Sequence, residues 1–442
     1  MRVCRFILAG ALATTAAAAM GQPPAASETN GVDSVDLDSV LFAPTPLGGH
    51  NYLNWSDLPF TISATQSIGY NDNVLGLAQG QPTPANTPLR GDLFSTTAFG
   101  ASTKITLGQQ QFFADASYGI TRFRVDTADD THQYSLDAGV NWAVTSRCSG
   151  RFVAAQNQYQ TPIDEQVGSG INTVLATSVS ETATCLSSGY TSLILDSGWS
   201  SNVSSLAIDA LNNYDSVYVR GGFQYSLTGL DTMRALITAT QREFTDRAAS
   251  LSIAGLASGT DEVDYQLFYN RTISPKLTFN GMIGIAQVTP NFATPSVVST
   301  AQGAASTTET VPIYLASLLW QPTPKLSFGV SSSRSVGAPT STLSNAEITT
   351  TQSATTSYLF SPKISLQLGV AYSKISTGAE STLALPSVGI GSQTTESAFW
   401  RASYFLTPFV TTTASYRFSE TADDGINTKD NTIMLSLVYR PQ

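Results

Sequence analysis

Ile273-Ser274-Pro275-Lys276-Leu277-Thr278-Phe279 reads as the end of one strand, a sharp corner and the start of the next. The stretch returns as Pro322-Thr323-Pro324-Lys325-Leu326-Ser327-Phe328 and as Phe360-Ser361-Pro362-Lys363-Ile364-Ser365-Leu366. A looser copy is Leu406-Thr407-Pro408-Phe409-Val410-Thr411. Proline presets φ for a tight turn and has no N–H to give to a ladder. The apolar and small polar residues that follow alternate with the period of a strand.

The clearest alternation runs from Tyr134 to Thr145. One face carries Tyr134, Leu136, Ala138, Val140, Trp142 and Val144; the other carries Ser135, Asp137, Gly139, Asn141, Ala143 and Thr145. Val263-Tyr265-Leu267-Tyr269 and Ile433-Leu435-Leu437-Tyr439 repeat it. In a soluble sandwich the apolar face packs inward. In an outer-membrane barrel it turns to lipid and the polar face lines the lumen. Composition favours the barrel. Only 12% of residues are charged, about half the usual share and too few for a soluble surface.

Short turns fall near Gly108, Cys148, Ser188, Gly229, Pro275, Pro324, Pro362 and Pro408. They recur every roughly 40–50 residues, a period that a propeller shares. Each interval here has room for two strands of about ten residues, which is membrane-spanning length. Longer Gly/Ser/Thr/Pro-rich stretches, such as Gly76–Gly91, Thr289–Thr308 and Ser376–Gln393, alternate with the turns. Short periplasmic turns and longer extracellular loops are the outer-membrane arrangement. The fold expected is therefore all-β: a transmembrane antiparallel up-and-down barrel over residues 59–442, with both termini periplasmic. The turn count gives 18 strands. Irregular composition near Val174–Leu186 and Ser204–Tyr214 leaves 16 as the alternative. Trp142, Trp320, Phe360, Phe405, Phe409 and Tyr439 stand beside turns or the C-terminus, where aromatics form the periplasmic girdle.

Residues 1–20 read as a signal peptide, with basic Arg2 and Arg5, an apolar run from Phe6, and Ala17-Ala18-Ala19 or Ala19-Met20-Gly21 as a small-x-small site. Residues 21–58 lack alternation and carry Pro23, Pro24, Glu28, Asp33, Asp36 and Asp38. They read as an irregular periplasmic extension, with a short helix near Asp33–Leu41. No later run is apolar for about 18 residues, so no transmembrane helix is expected. The formal charge of −10 argues against nucleic acid as a partner.

Catalytic chemistry finds no foothold. His50 lies in the extension and His132 at a loop end, so neither can serve a Ser-His arrangement. No metal spacing and no phosphate-binding loop occurs. No enzyme activity and no cofactor are expected. Strand parity puts Asp115, Asp137, Asp196, Asp264, Arg220, Arg234, Arg242, Arg401 and Arg417 on the lumen face. An ion-selective pore concentrates one sign of charge; this set is nearly balanced, on a wall of Ser, Thr, Asn and Gln. That suits small polar solutes or an uncharged glycan. The plainer reading is that such charges only satisfy one another. Cys148 and Cys185 fall at the periplasmic rim on either side of one hairpin. A disulfide there is expected as a staple, provided the Cα atoms come within about 7 Å.

The first strand reads Ser67-Ile68-Gly69-Tyr70-Asn71-Asp72-Asn73-Val74. With the repeated hairpins, it resembles the beta-barrel porin 2 family of outer-membrane barrels, whose relatives include exopolysaccharide-associated barrels of the EpsL type. The likeness rests on the motif Gly69, Tyr70, Asn71, Asp72 and Asn73 and on the architecture from Pro59 onward. It implies an outer-membrane channel that passes or anchors export of an exopolysaccharide, with outer-membrane lipid, polysaccharide or small polar solutes, and the barrel-insertion machinery as partners. A general diffusion porin and a non-conducting structural barrel are the alternatives. Many such barrels end on an aromatic residue; this chain ends Val438-Tyr439-Arg440-Pro441-Gln442, so Leu437 and Tyr439 would be what the insertion machinery reads.

Overall fold

The computed structural model describes residues 60–74, 91–125, 130–162, 171–206, 209–247, 257–291, 308–338, 346–378, 392–423 and 426–440. The expected signal peptide (1–20), the extension (21–58) with its short helix, His50 and most of the long loops lie outside these residues.

The strands are β1 (Phe60–Asn71), β2 (Asp92–Leu107), β3 (Gln110–Phe123), β4 (Thr131–Ala143), β5 (Cys148–Pro162), β6 (Ile171–Leu186), β7 (Thr191–Ser204), β8 (Tyr214–Thr228) and β9 (Asp231–Phe244). They continue as β10 (Gly259–Ser274), β11 (Leu277–Asn291), β12 (Glu309–Thr323), β13 (Leu326–Gly337), β14 (Ala346–Ser361), β15 (Ile364–Gly378), β16 (Gln393–Thr407), β17 (Val410–Asp423) and β18 (Ile426–Tyr439). Every strand pairs antiparallel with its sequence neighbours, and β1 pairs with β18. The result is a closed, 18-stranded, up-and-down antiparallel barrel. Closure gives each of these strands a partner on both sides, so the sheet has no free edge strand among the described residues.

The 16-strand alternative is thereby corrected. Val174–Leu186 is not irregular but belongs to β6, laddered from Pro162↔Ile171 to Cys148↔Cys185 on one side and to β7 on the other. Between β7 and β8 the described residues include the 3-10 turn Asp209–Asn212.

The repeated corners have a common chemistry. The hydroxyl of Ser274, Thr323, Ser361 or Thr407 accepts a hydrogen bond from the backbone N–H two residues on, of Lys276, Lys325, Lys363 or Phe409, at 3.2–3.3 Å. Proline fills the position between, where no donor is needed. The residue after the proline also offers its carbonyl to the next hairpin: Gln321 N–H donates to Lys276 O at 2.6 Å and Leu359 N–H to Lys325 O at 2.8 Å. Each corner thus pins two hairpins. The ladder slips by one residue just before each, as between Thr272 and Ser274. At the β2–β3 turn Gly108 takes φ +63°, a left-handed conformation that glycine adopts without penalty.

The wall is inverted relative to a soluble protein. Apolar residues of one parity are exposed: Ile68 on β1, Phe99 on β2, Leu195 on β7, Ile283 on β11 and Leu435 on β18. Polar residues of the other parity are buried: Ser67, Asp196, Arg220, Thr238, Ser397, Arg401 and Ser436. The register joins like with like, so Tyr265, Ile285 and Ile237 share the outward face. Charges on that face gather near strand ends, as in the Glu420–Lys429 pair at 3.3 Å and the Arg271–Asp231 pair at 3.5 Å. Glu181 is an exception, outward between Phe152 and Ser197.

Trp142, Trp320, Phe360 and Tyr439 lie on the outward face near the turns, and Trp320 stacks on Phe328 at 5.4 Å. Phe405 is a correction to the expected girdle. It shares the inward face with Thr411, and Tyr404 is the exposed neighbour. Phe409 sits in the corner itself.

Cys148 and Cys185 stand directly opposite each other and are bonded, with Cα atoms 4.1 Å apart. The ladder already holds these strands together, so reducing the bond is expected to cost about 2 kcal/mol, the low end of the usual range. Denaturant midpoints with and without reductant measure this, and iodoacetamide should label neither cysteine until reductant is added.

Candidate pore lining

The inward face is built by strand parity alone. On β13 it presents Ser327, Gly329, Ser331, Ser333 and Ser335, and on β14 Thr349, Thr351, Ser353, Thr355 and Ser357. Opposed hydroxyls bond across the ladder: Ser331 to Ser353 at 2.7 Å, Thr395 to Thr421 at 3.2 Å and Ser67 to Ser436 at 2.8 Å. One sector of the wall, from β13 round to β2, is therefore mostly a hydroxyl surface.

The nine charged residues expected on the lumen face all have inward parity. The register separates them into groups. Asp115 and Asp137 oppose each other on β3 and β4. Arg151, one strand on, places its guanidinium 4.6 Å from the Phe113 ring centroid. Asp196 on β7 opposes Arg220 on β8, and the two form an ion pair. Tyr218 O–H donates to the same carboxylate at 3.2 Å. Higher on the wall, Arg242 faces Glu262 at 3.9 Å and donates toward the Thr260 hydroxyl at 3.5 Å, with Tyr214 beneath its guanidinium. Asp264 is on the same inward face, two residues from Glu262. Arg234 opposes Phe268. Arg401 and Arg417 sit on adjacent strands β16 and β17.

Parity reasoning missed Glu262 and Arg151. Glu262 was within reach, since it shares the face of Asp264 two residues away. It also missed that the wall is not uniformly polar. Ile194, Leu236 and Phe268 form an inward apolar cluster with Met282 against it. Ala286, Val288, Val311 and Ile313 on β11 and β12 are buried on the inward side, Val288 at 2% exposure. The β7–β12 sector is thus packed with apolar side chains and ion pairs, while the opposite sector is lined with small hydroxyls.

At the loop end of the packed sector, Arg247 ties two loops together. Its Nε donates to Leu211 O at 2.7 Å and its Nη2 to the Asn212 side chain at 3.2 Å, over the Phe244 ring at 3.9 Å. Burial lowers its pKa to about 10, so it remains a cation at neutral pH.

No family model matches the chain, and neither does any curated protein. Solved structures with a similar fold include OpdQ of Pseudomonas aeruginosa, 12% identical over 87% of this chain and 100% of that one, with a TM-score of 0.44. OccK2 (OpdF) of the same organism, solved with glucuronate, is 11% identical over 87% of this chain and 98% of that one, at a TM-score of 0.44. The FrpB iron transporter of Neisseria meningitidis (F5-1 variant) is 10% identical over 85% of this chain, at a TM-score of 0.47. This chain spans 64% of that FrpB variant and 62% of its F3-3 variant. At these scores the likenesses carry no inference about solute or partner, and the barrel rests on its own strand register.

Gly69, Tyr70 and Asn71 end β1, and Asp72 and Asn73 follow, at the rim opposite the Ser/Thr-Pro corners. Gly69 faces inward where any Cβ would run into the Phe94 ring. Tyr70 is outward and exposed. Asn71, Asp72 and Asn73 turn toward β18. Among the described residues no group of His, Cys, Asp and Glu side chains is arranged to hold a metal.

Proposed function

We propose that this chain is an outer-membrane channel through which small, polar, mainly uncharged solutes diffuse. The observation that carries the reading is the inversion of the wall: exposed Leu, Ile, Phe and Trp outside, buried Ser, Thr, Asp and Arg inside. Such a wall suits lipid on one side and water on the other. An 18-stranded barrel is wide enough for an aqueous lumen. Solutes would follow the hydroxyl sector, because the facing sector is filled by the Asp196–Arg220 pair and the Ile194–Leu236–Phe268 cluster. Inward charges of both signs, several already paired, leave little net field to select ions.

A finer reading, export or anchoring of an exopolysaccharide, draws on the family resemblance and on the same hydroxyl surface, which can exchange hydrogen bonds with sugar hydroxyls. The two are separable. In planar bilayers the purified barrel is expected to conduct with a reversal potential near zero across a salt gradient. Vesicles carrying it should swell with uncharged sugars. A barrel closed at every voltage overturns the channel and leaves a structural role. A deletion strain that secretes normal polysaccharide overturns the export reading alone.

A further inference from the structure

Seventeen of the barrel's ladders join strands that are neighbours in sequence; the β1–β18 seam joins the two ends of the barrel sequence. Its closing entropy is not reduced by a connecting turn. The seam is also short. Its register runs from Ala64↔Tyr439 only to Asn71↔Thr432, whereas β17 and β18 stay paired as far as Asp423↔Ile426. Beyond Thr432 the upper end of β18 has no β1 backbone ladder.

One further backbone bond and a set of side-chain bonds take over at that point. Asp72 N–H donates to Asn431 O at 3.1 Å. Asn431 returns two bonds to the Asp72 carboxylate, its backbone N–H to Oδ1 and its Nδ2 to Oδ2, both at 2.7 Å. Tyr416 O–H, on β17, donates to Asn431 Oδ1 at 2.7 Å. Asn73 Nδ2 donates to Lys429 O at 2.8 Å, and Asn73 N–H to Asn71 Oδ1 at 2.7 Å, which folds the triplet into an Asx turn aimed at β18. We infer that the Asn71-Asp72-Asn73 triplet is a latch that closes the barrel, engaging Asn431 once β1 has paired with β18.

The chemistry requires a carboxylate on Asp72 as the polarity stands. Both of its oxygens accept, and both partners are donors. An amide there would turn an NH2 group on one of those donors, losing a charge-assisted bond. The amide and the acid should nonetheless be exchangeable as a pair. When Asp72→Asn is combined with Asn431→Asp, the introduced amide oxygen accepts from the same backbone N–H on β18. Its NH2 then donates to the introduced carboxylate across the seam, and Tyr416 can still donate to that carboxylate.

The test is the rate at which the folded barrel is lost in detergent gels of unboiled samples at rising temperature. Asp72→Asn is expected to unfold about ten-fold faster, the loss of roughly one charge-assisted bond. Asn431→Asp sets two carboxylates face to face and should be worse. Asp72→Asn combined with Asn431→Asp should return most of the way to wild type. A second arm locates the effect. Ser67 and Ser436 face each other across the same seam; Ser67→Cys with Ser436→Cys, once oxidised, should erase the Asp72→Asn penalty. A normal Asp72→Asn, an exchanged pair no better than Asn431→Asp, or a penalty that survives the seam crosslink each overturns the latch.

Discussion

Asp196→Ala is expected to destabilise the folded barrel by about 3–5 kcal/mol, the usual cost of removing one partner from a buried ion pair. The pair is deep in the packed sector: Asp196 is 3% exposed and Arg220 7%. Alanine deprives Arg220 of its acid partner and Tyr218 of its acceptor at once. Asp196→Leu with Arg220→Met removes both charges and fills comparable volume, so it should recover most of the loss. Thermal midpoints of the purified barrel in detergent report both. A loss under about 1 kcal/mol, the worth of a solvated pair, would mean that lumen water reaches these groups. The packed sector would then belong to the open pore, and solutes could pass along either wall.

The outline of this arrangement was legible because its causes are local. A Ser/Thr-Pro corner needs only the hydroxyl, the missing N–H and the φ that proline supplies, all within three residues. Strand alternation is equally local, so the inward parity of Asp115, Asp264 and Arg417 could be read directly. β6 was harder. In Ile171–Leu186 the outward face carries Thr177 and Glu181 among Leu175 and Val179, and the inward face carries Val174 and Ala176 among Ser178 and Thr182. Neither face announces its side, and the strand is held by ladders to β5 and β7 rather than by its own pattern. Contacts that depend on the stagger between strands were not legible at all. Parity assigns Asp196 and Arg220 to the lumen but does not tell that they meet. The motif is the extreme case: Asp72 finds Asn431 359 positions away, across the closing seam. Phe405 failed for a related reason. The one-residue slip before the corner, between Phe405 and Thr407, makes proximity to a turn a poor guide to facing.

Whether the exposed apolar face meets lipid can be decided by moving one charge from one side of the wall to the other. Ile283 is outward near the middle of β11 and 66% exposed, between Leu267 and Tyr314 on the neighbouring strands. Ser331 is inward on β13, against Ser353. In lipid vesicles Ile283→Arg is expected to cost about 2–4 kcal/mol, the depth-dependent cost of arginine on the lipid face of a barrel. That is a fall on the order of 30- to 900-fold in the folded-to-unfolded ratio. In detergent micelles, which let the guanidinium reach water, the cost should shrink. Ser331→Arg gives up one neutral bond, to the Ser353 hydroxyl, so the folded barrel in vesicles should stay within about 1 kcal/mol of wild type. It should instead lower single-channel conductance and favour anions, because the new charge stands in the hydroxyl sector. Urea titration of the vesicle-folded barrel measures the first pair of effects and bilayer recording the last. If Ile283→Arg were tolerated in vesicles, the exposed face would be covered by something other than hydrocarbon. If Ser331→Arg folded normally yet left conductance unchanged, solutes would not travel along the β13–β14 wall.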